Sequence, residues 1–182
     1  MSISGYSWLP QREERFNLSI TYHAGDNSSN QVILTREENA AMFSEPDTFS
    51  GIMVGAQTAS LQEWLVQQQL PGAFLLTYQD LDKGLQLLRD NTIQAMAVAE
   101  GNANAILASW SGFAKADFRF LISEERTDNL ILMPKGADEL TAKVNDLLTK
   151  AELAGYYPQW YAQALKQTGV ELHSNDQGQV EN

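Results

Sequence analysis

The side chains that could do chemistry in this 182-residue chain are few and widely spaced. Cysteine is absent, which removes thiol catalysis, disulfides and Cys-based zinc sites. The two histidines, His23 and His173, lack metal-ligand spacing. No nucleophile elbow, paired metal ligands or glycine-rich phosphate loop occurs. An acid/base pair would have to come from Glu100 and His23. Arg12 carries a planar guanidinium that could offer two parallel donors to a carboxylate; read by itself, an arginine beside Glu13 and Glu14 more often pairs with such acids at the surface. Gln57 and Ser60 stand on a turn that opens a helix. Amides and the helix dipole at such a turn suit a carboxylate or polar ligand atom, although Ser60 also serves as a plain cap.

The elements that must position these groups alternate strand with helix. Residues 51–57 read as a buried strand, and Ser60 to Glu63 form a capping box whose helix carries Leu61, Trp64 and Leu65 on one face and stops at Pro71-Gly72. Residues 73–78 are the next strand, and Asp80 caps a helix with Leu81, Leu85 and Leu88. Residues 93–99 are the third strand, 102–110 the third helix and 118–122 the fourth strand. This order implies right-handed crossovers and a mainly parallel sheet. Ligands of such sheets sit at the carboxyl ends of strands, so the turns at 57–60 and 99–102 are the expected sites. Short apolar runs at 31–35 and 129–133 flank this block and are expected to cross between lobes as a pair. An amphipathic helix covers 138–154, with Gly155 as its stop, and a second spans 157–166 with Pro158 in its first turn. The polar tail from His173 is expected to be mobile.

Bulk composition narrows the classes. The chain is 43% apolar, sufficient for a core, with a formal charge of −11 and no basic stripe; nucleic acid is therefore excluded as a partner, and anionic membrane surfaces are disfavoured. No apolar run reaches the ~20 residues of a membrane span, and no export leader precedes the first strand.

Three segments in register resemble the amino-acid-binding proteins of bacterial ABC importers (solute-binding protein family 3). The first is Ser4-Gly5-Tyr6-Ser7-Trp8-Leu9-Pro10-Gln11-Arg12, continued by 16–22. The second is Val54-Gly55-Ala56-Gln57-Thr58-Ala59-Ser60-Leu61-Gln62-Glu63. The third is Met133-Pro134-Lys135-Gly136-Ala137-Asp138-Glu139-Leu140, continued by Lys143-Val144-Asn145 and Ala154-Gly155-Tyr156-Tyr157. Together they cover residues 4 to about 165.

The resemblance implies an α/β, periplasmic-binding-protein type 2 fold, with one complete lobe built on a mainly parallel sheet and a partial second lobe. On that reading residues 1–30 are a partial first lobe, and 31–130 are the complete second lobe with hinge strands at both ends. Residues 131–168 return as helices to the first lobe, and 169–182 form the tail. The chain would then be truncated at its N-terminus, with the export signal lying before it. The implied function is extracytoplasmic, periplasmic or cell-surface binding of an amino acid for ABC permease subunits, without enzymatic activity, cofactor or metal. The alternatives are a ligand-free interaction or sensor module, or a degenerate remnant of such a protein, either of which could pair as a homodimer by strand or lobe exchange, and a dehydratase on the same fold.

In the family pattern Arg12 clamps the ligand's α-carboxylate, Ser7 donates a hydroxyl to the same group and Gly5 offers a backbone contact to the α-ammonium. Gln57 and Ser60 contribute from the other lobe. The sequence departs from the pattern at Ala59, where the family has Gly, and at Ser60, where it has Thr. It also departs at Ala99, where the family has the Asp that pairs with the ammonium. Glu100, the next residue, either swings in to replace that anion or points to solvent.

Overall fold

The computed structural model describes residues 1–22, 30–123 and 129–168. Eight strands and six helices make two sheets. The larger has the order β5-β4-β6-β3-β7, from β3 (Gln31–Arg36), β4 (Met53–Gln57), β5 (Phe74–Tyr78), β6 (Ala95–Ala99) and β7 (Phe113–Arg119). Strand β4 runs parallel to β5 and β6, while β3 is antiparallel to both β6 and β7. Four strands therefore share one direction and only β3 opposes them. The smaller sheet is antiparallel, with β8 (Leu130–Pro134) between β1 (Ser2–Tyr6) and β2 (Phe16–Leu18).

Helices cover both faces of the large sheet because its strands alternate at period two. Ile33, Val54 and Ala56 face one core with Leu61, Leu65 and Val66 of α2 (Leu61–Gln69). Val32, Leu34, Met96 and Val98 face the other, with Leu88 of α3 (Leu81–Arg89) and Ala103 of α4 (Glu100–Ser109). The expected caps are in place: the side chains of Ser60 and Asp80 accept from the backbone N–H of Glu63 and Lys83 at 3.1 and 2.8 Å. Two 3₁₀ turns, Glu37–Met42 and Pro46–Phe49, carry no periodic signal, yet they bring Phe43 and Phe49 into a buried aromatic stack with centroids 4.8 Å apart.

The smaller sheet packs on α5 (Asp138–Leu153), where Val144 meets Ile131 and Met133. Two asparagines hold that helix in place. Asn17 donates to Asp138 at 2.9 Å, and Asn145 accepts the Ile20 N–H at 2.9 Å. After Gly155, at φ +65, the chain turns into α6 (Tyr156–Thr168). No helix among the described residues is long and apolar enough to cross a membrane.

Three expectations need adjustment. The fourth strand is not at 118–122 but at Phe113–Arg119: pairing with β3 begins at Phe113, right after Gly112, and the apolar run at 120–122 lies beyond the last paired residue. The third helix starts two residues early, at Glu100. The runs at 31–35 and 129–133 do not pair with each other. The first is bonded on both sides within the large sheet, and the second is the middle strand of the small one. Among the described residues, Tyr22 and Asn129 form an isolated antiparallel bridge next to the connecting segments. His23, His173 and the expected tail lie outside the described residues.

Tyr78 ends β5 with its ring packed against Gly84, where an added Cβ would stand 2.5 Å from the ring. Its hydroxyl is buried without a hydrogen-bond partner, and burial raises its pKa. Removing an unsatisfied buried hydroxyl while keeping the ring relieves a desolvation cost, so Tyr78→Phe is expected to raise the unfolding free energy by about 1 kcal/mol. Gly84→Ala, which overpacks the same contact, is expected to lower it by about 1–3 kcal/mol. Chemical denaturation of both variants checks the pair; a destabilised Tyr78→Phe would contradict the assignment.

Candidate functional site

The carboxyl ends of β4 and β6 and the amino end of β3 open on one edge of the large sheet, against which β1 and α1 (Pro10–Arg15) of the smaller unit pack. Leu9, just before α1, is fully buried in the large-sheet core. It therefore anchors the turn whose carbonyl accepts the N–H groups of Arg12 and Glu13. Between the two units lies a cavity of about 490 Å³, a size ordinary for small-solute sites.

One wall comes from Ser4, Gly5, Tyr6, Ser7, Arg12 and Asn129. The other comes from Gln31, the segment from Gln57 to Gln62, Ala99 and Asn102. Both turns expected from the strand order thus line the cavity, as do Gly5, Ser7, Arg12, Gln57 and Ser60 among the expected site residues.

Arg12 spans the cavity. One terminal nitrogen donates to the Ser7 carbonyl and the other to the Ala59 carbonyl, both at 2.6 Å, and its guanidinium lies 5.1 Å from the centre of the Tyr6 ring. It pairs with no carboxylate among the described residues, so the alternative of an ion pair with Glu13 or Glu14 does not occur. Partial burial pulls its pKa below the ordinary value, against an opposing influence from Tyr6, and an arginine remains cationic at neutral pH. Ser7 faces the site with its carbonyl bonded to Arg12. Gly5 sits at φ +58 where the register of β1 against β8 shifts, a glycine bulge that re-aims the strand toward the cavity.

On the opposite wall the Gln57 amide donates to the Gln79 carbonyl at 2.9 Å. Ser60 caps α2 through the Glu63 N–H, and the Glu63 carboxylate takes the Ala59 N–H at 2.5 Å. The Ser60 N–H bonds the Gln57 carbonyl. Leu61 and Gln62, both at the cavity, are the first-turn residues whose amides have no intrahelical acceptor. Ala59 itself adopts φ +59, the left-handed region that favours glycine.

Glu100 does not line the cavity. Because α4 begins at Glu100, its carboxylate turns to Lys115 of β7 at 2.6 Å and Asn30 at 2.7 Å. These hydrogen bonds, Lys115 first, hold its pKa below the usual carboxylate value. Ala99 alone represents the end of β6 on the wall. Reasoning from sequence did not single out Tyr6 and Gln62, although both stand within the family-like segments, nor Gln31 and Asn129, which only topology brings to the cavity from the start of β3 and from the bridge residue before β8. No cluster of metal-ligating side chains occurs among the described residues.

No protein-family model and no curated protein matches the chain. Solved structures do match. An amino acid ABC transporter substrate-binding protein, AbpA, from Streptococcus pneumoniae, bound to L-arginine, superimposes with a TM-score of 0.75 at 21% identity, over 93% of this chain and 68% of that one. A periplasmic binding protein of Salmonella typhimurium with high arginine specificity gives 0.73 at 20% identity, over 91% and 70%. An ancestral arginine-binding protein bound to glutamine gives 0.72 at 20%, over 87% and 68%. The chain thus has the periplasmic-binding-protein type 2 fold and spans about two thirds of the length of these structures.

Two outcomes test the geometry. Ala59→Gly relieves a left-handed alanine, worth about 1–2 kcal/mol, at the cost of about 0.4–1 kcal/mol of unfolded-state entropy. A net gain of about 0.5–1 kcal/mol is expected in denaturant unfolding, and a loss would show that φ at Ala59 is not strained. The lowered pKa of Glu100 stabilises the fold above the ordinary carboxylate value of 4.5, and this contribution is lost as pH falls through the lower folded value. The stability gap between the wild type and Glu100→Gln should therefore be full at pH 7 and close in acid below that value, as followed by thermal unfolding against pH. A gap unchanged by pH would contradict the Lys115 pairing.

Proposed function

We propose that this chain is a non-enzymatic solute receptor that binds a small carboxylate-bearing molecule of amino-acid size in the cleft between its two sheets. It does so outside the cytoplasm, for delivery to an ABC permease. The observation that carries this reading is Arg12. It is the single charged side chain among the described residues of a polar cavity, in a chain whose formal charge is −11. Its two donors are spread over carbonyls on both walls, so a carboxylate entering the cleft exchanges two neutral acceptors for one charged, bidentate one. The first turn of α2, with Leu61 and Gln62 lining the cavity, brings the positive end of the helix there and favours the same charge. Amino acids are the first solutes to try, because the similar solved structures carry arginine or glutamine.

The reaction-based alternative, a dehydratase, draws no support from the site. Its acid/base pair would need Glu100, which is held by Lys115 and Asn30, and His23, which lies outside the described residues. A ligand-free interaction module is the second reading, favoured by the fact that the donors of Arg12 are already bonded.

Thermal unfolding with the twenty amino acids and simple carboxylates, each at millimolar concentration, separates the two readings. A ligand that binds the folded state raises the melting temperature in proportion to its occupancy. Arg12→Ala should abolish the shift, since truncating one partner of a desolvated charge pair costs about 2–5 kcal/mol of binding. Arg12→Lys should retain part of it, because it keeps the charge and loses the fork. A cooperative melt with no shift from any of these solutes would favour the interaction module.

A further inference from the structure

Among the described residues the cavity is lined by one charged side chain, Arg12, and by no carboxylate, which bears on the kind of carboxylate it accepts. Resting on the reading of the cleft as a carboxylate site, we infer that it prefers carboxylates that carry no cationic group, such as 2-hydroxy acids, over the zwitterionic amino acids and over dibasic ones.

Among the described residues, Glu63 and Glu100 are carboxylates adjacent in sequence to lining residues, and both are otherwise engaged. Glu63 accepts the Ala59 N–H from behind the turn. Glu100 is bonded to Lys115 and to Asn30, and its own N–H is bonded to the Asn30 carbonyl, so backbone and side chain are fixed together on the β3–β7 side. The wall position at the end of β6 is occupied by the methyl group of Ala99. The remaining lining is neutral: hydroxyls of Ser4, Thr58 and Ser60 and amides of Gln31, Asn102 and Asn129. Among these, Gln31 is bonded across to Gln62 at 2.5 Å, and the Thr58 hydroxyl to the Tyr78 carbonyl at 3.1 Å.

An ammonium placed in this cavity would be desolvated near the Arg12 guanidinium with only neutral acceptors among the described residues. A partly buried cation without an anionic partner is strongly disfavoured. A hydroxyl in the same place both donates and accepts, and the amide-rich wall satisfies either role.

The test is isothermal titration of the intact chain with matched pairs that differ only in the 2-substituent: L-lactate and L-alanine, L-malate and L-aspartate, L-phenyllactate and L-phenylalanine, with L-arginine as the dibasic probe. At least one hydroxy acid should bind tenfold or more tightly than its amino acid, and L-arginine should bind more weakly than either. Ala99→Asp should shift the ratio within a pair toward the amino acid. That variant places a carboxylate on the wall at the N-cap of α4, where aspartate is favoured and no side chain now caps. Tighter binding of the amino acids or of L-arginine by the unmodified chain overturns the inference and leaves the carboxylate site standing. An Ala99→Asp variant with an unmoved ratio also overturns it. If no member of either series binds, and Arg12→Ala titrates like the wild type, the carboxylate reading falls and the inference falls with it.

Discussion

The cross-cleft bonding of Arg12 is the constraint on which the site depends. One guanidinium donates to the Ser7 carbonyl on its own side and to the Ala59 carbonyl 47 residues away. It is held there by Leu9, which is fully buried among residues of the large-sheet core three positions earlier. Both bonds go to backbone oxygens, so the side chain is preorganised without being neutralised. A long cation would otherwise lose much of its rotamer freedom on binding a ligand; here that freedom is already gone.

The opposite wall obeys a matching constraint. Ala59 can present its carbonyl to Arg12 only because the chain turns through φ +59 there, and the Glu63 carboxylate holds the turn by taking the Ala59 N–H. The capping arrangement of α2 is thus shared between two tasks: Ser60 closes the helix while Glu63 secures the residue before it. A carboxylate used as a backbone acceptor is no longer available to a ligand. Glu100 is withdrawn in a similar way by Lys115 and Asn30. In this strongly acidic chain the described acids stay out of the cleft between the two sheets, where Arg12 is the single charged lining side chain among the described residues.

The sheets explain why these groups meet. Parallel β4 and β6 deliver their carboxyl ends, with the turns at 57–60 and 99–102, to the same edge. The reversed β3 brings Gln31 to that edge from its amino end. The small sheet contributes Gly5, whose positive φ falls at the register shift between β1 and β8.

Much of this was legible from sequence because it is local. Helix caps at Ser60 and Asp80, the stops at Pro71-Gly72 and Gly155, and the period-two strands follow from side chains a few residues apart. The two cavity-lining turns follow from strand order alone, and Arg12 from the family-like segment that contains it. Nonlocal contacts were not legible. The start of β7 was set by pairing to β3, and the aromatic stack of Phe43 and Phe49 rests on 3₁₀ turns with no periodicity. Above all, the sequence places Glu100 beside the end of β6 but cannot say where it points. That direction depends on a lysine on another strand and an asparagine seventy residues earlier. Sequence by itself determined most elements of the large sheet, their order and the turns that line the cleft. Tertiary structure decided which charges reach the cleft, because a side chain's partner is chosen by packing across the fold and not by its neighbours in the chain.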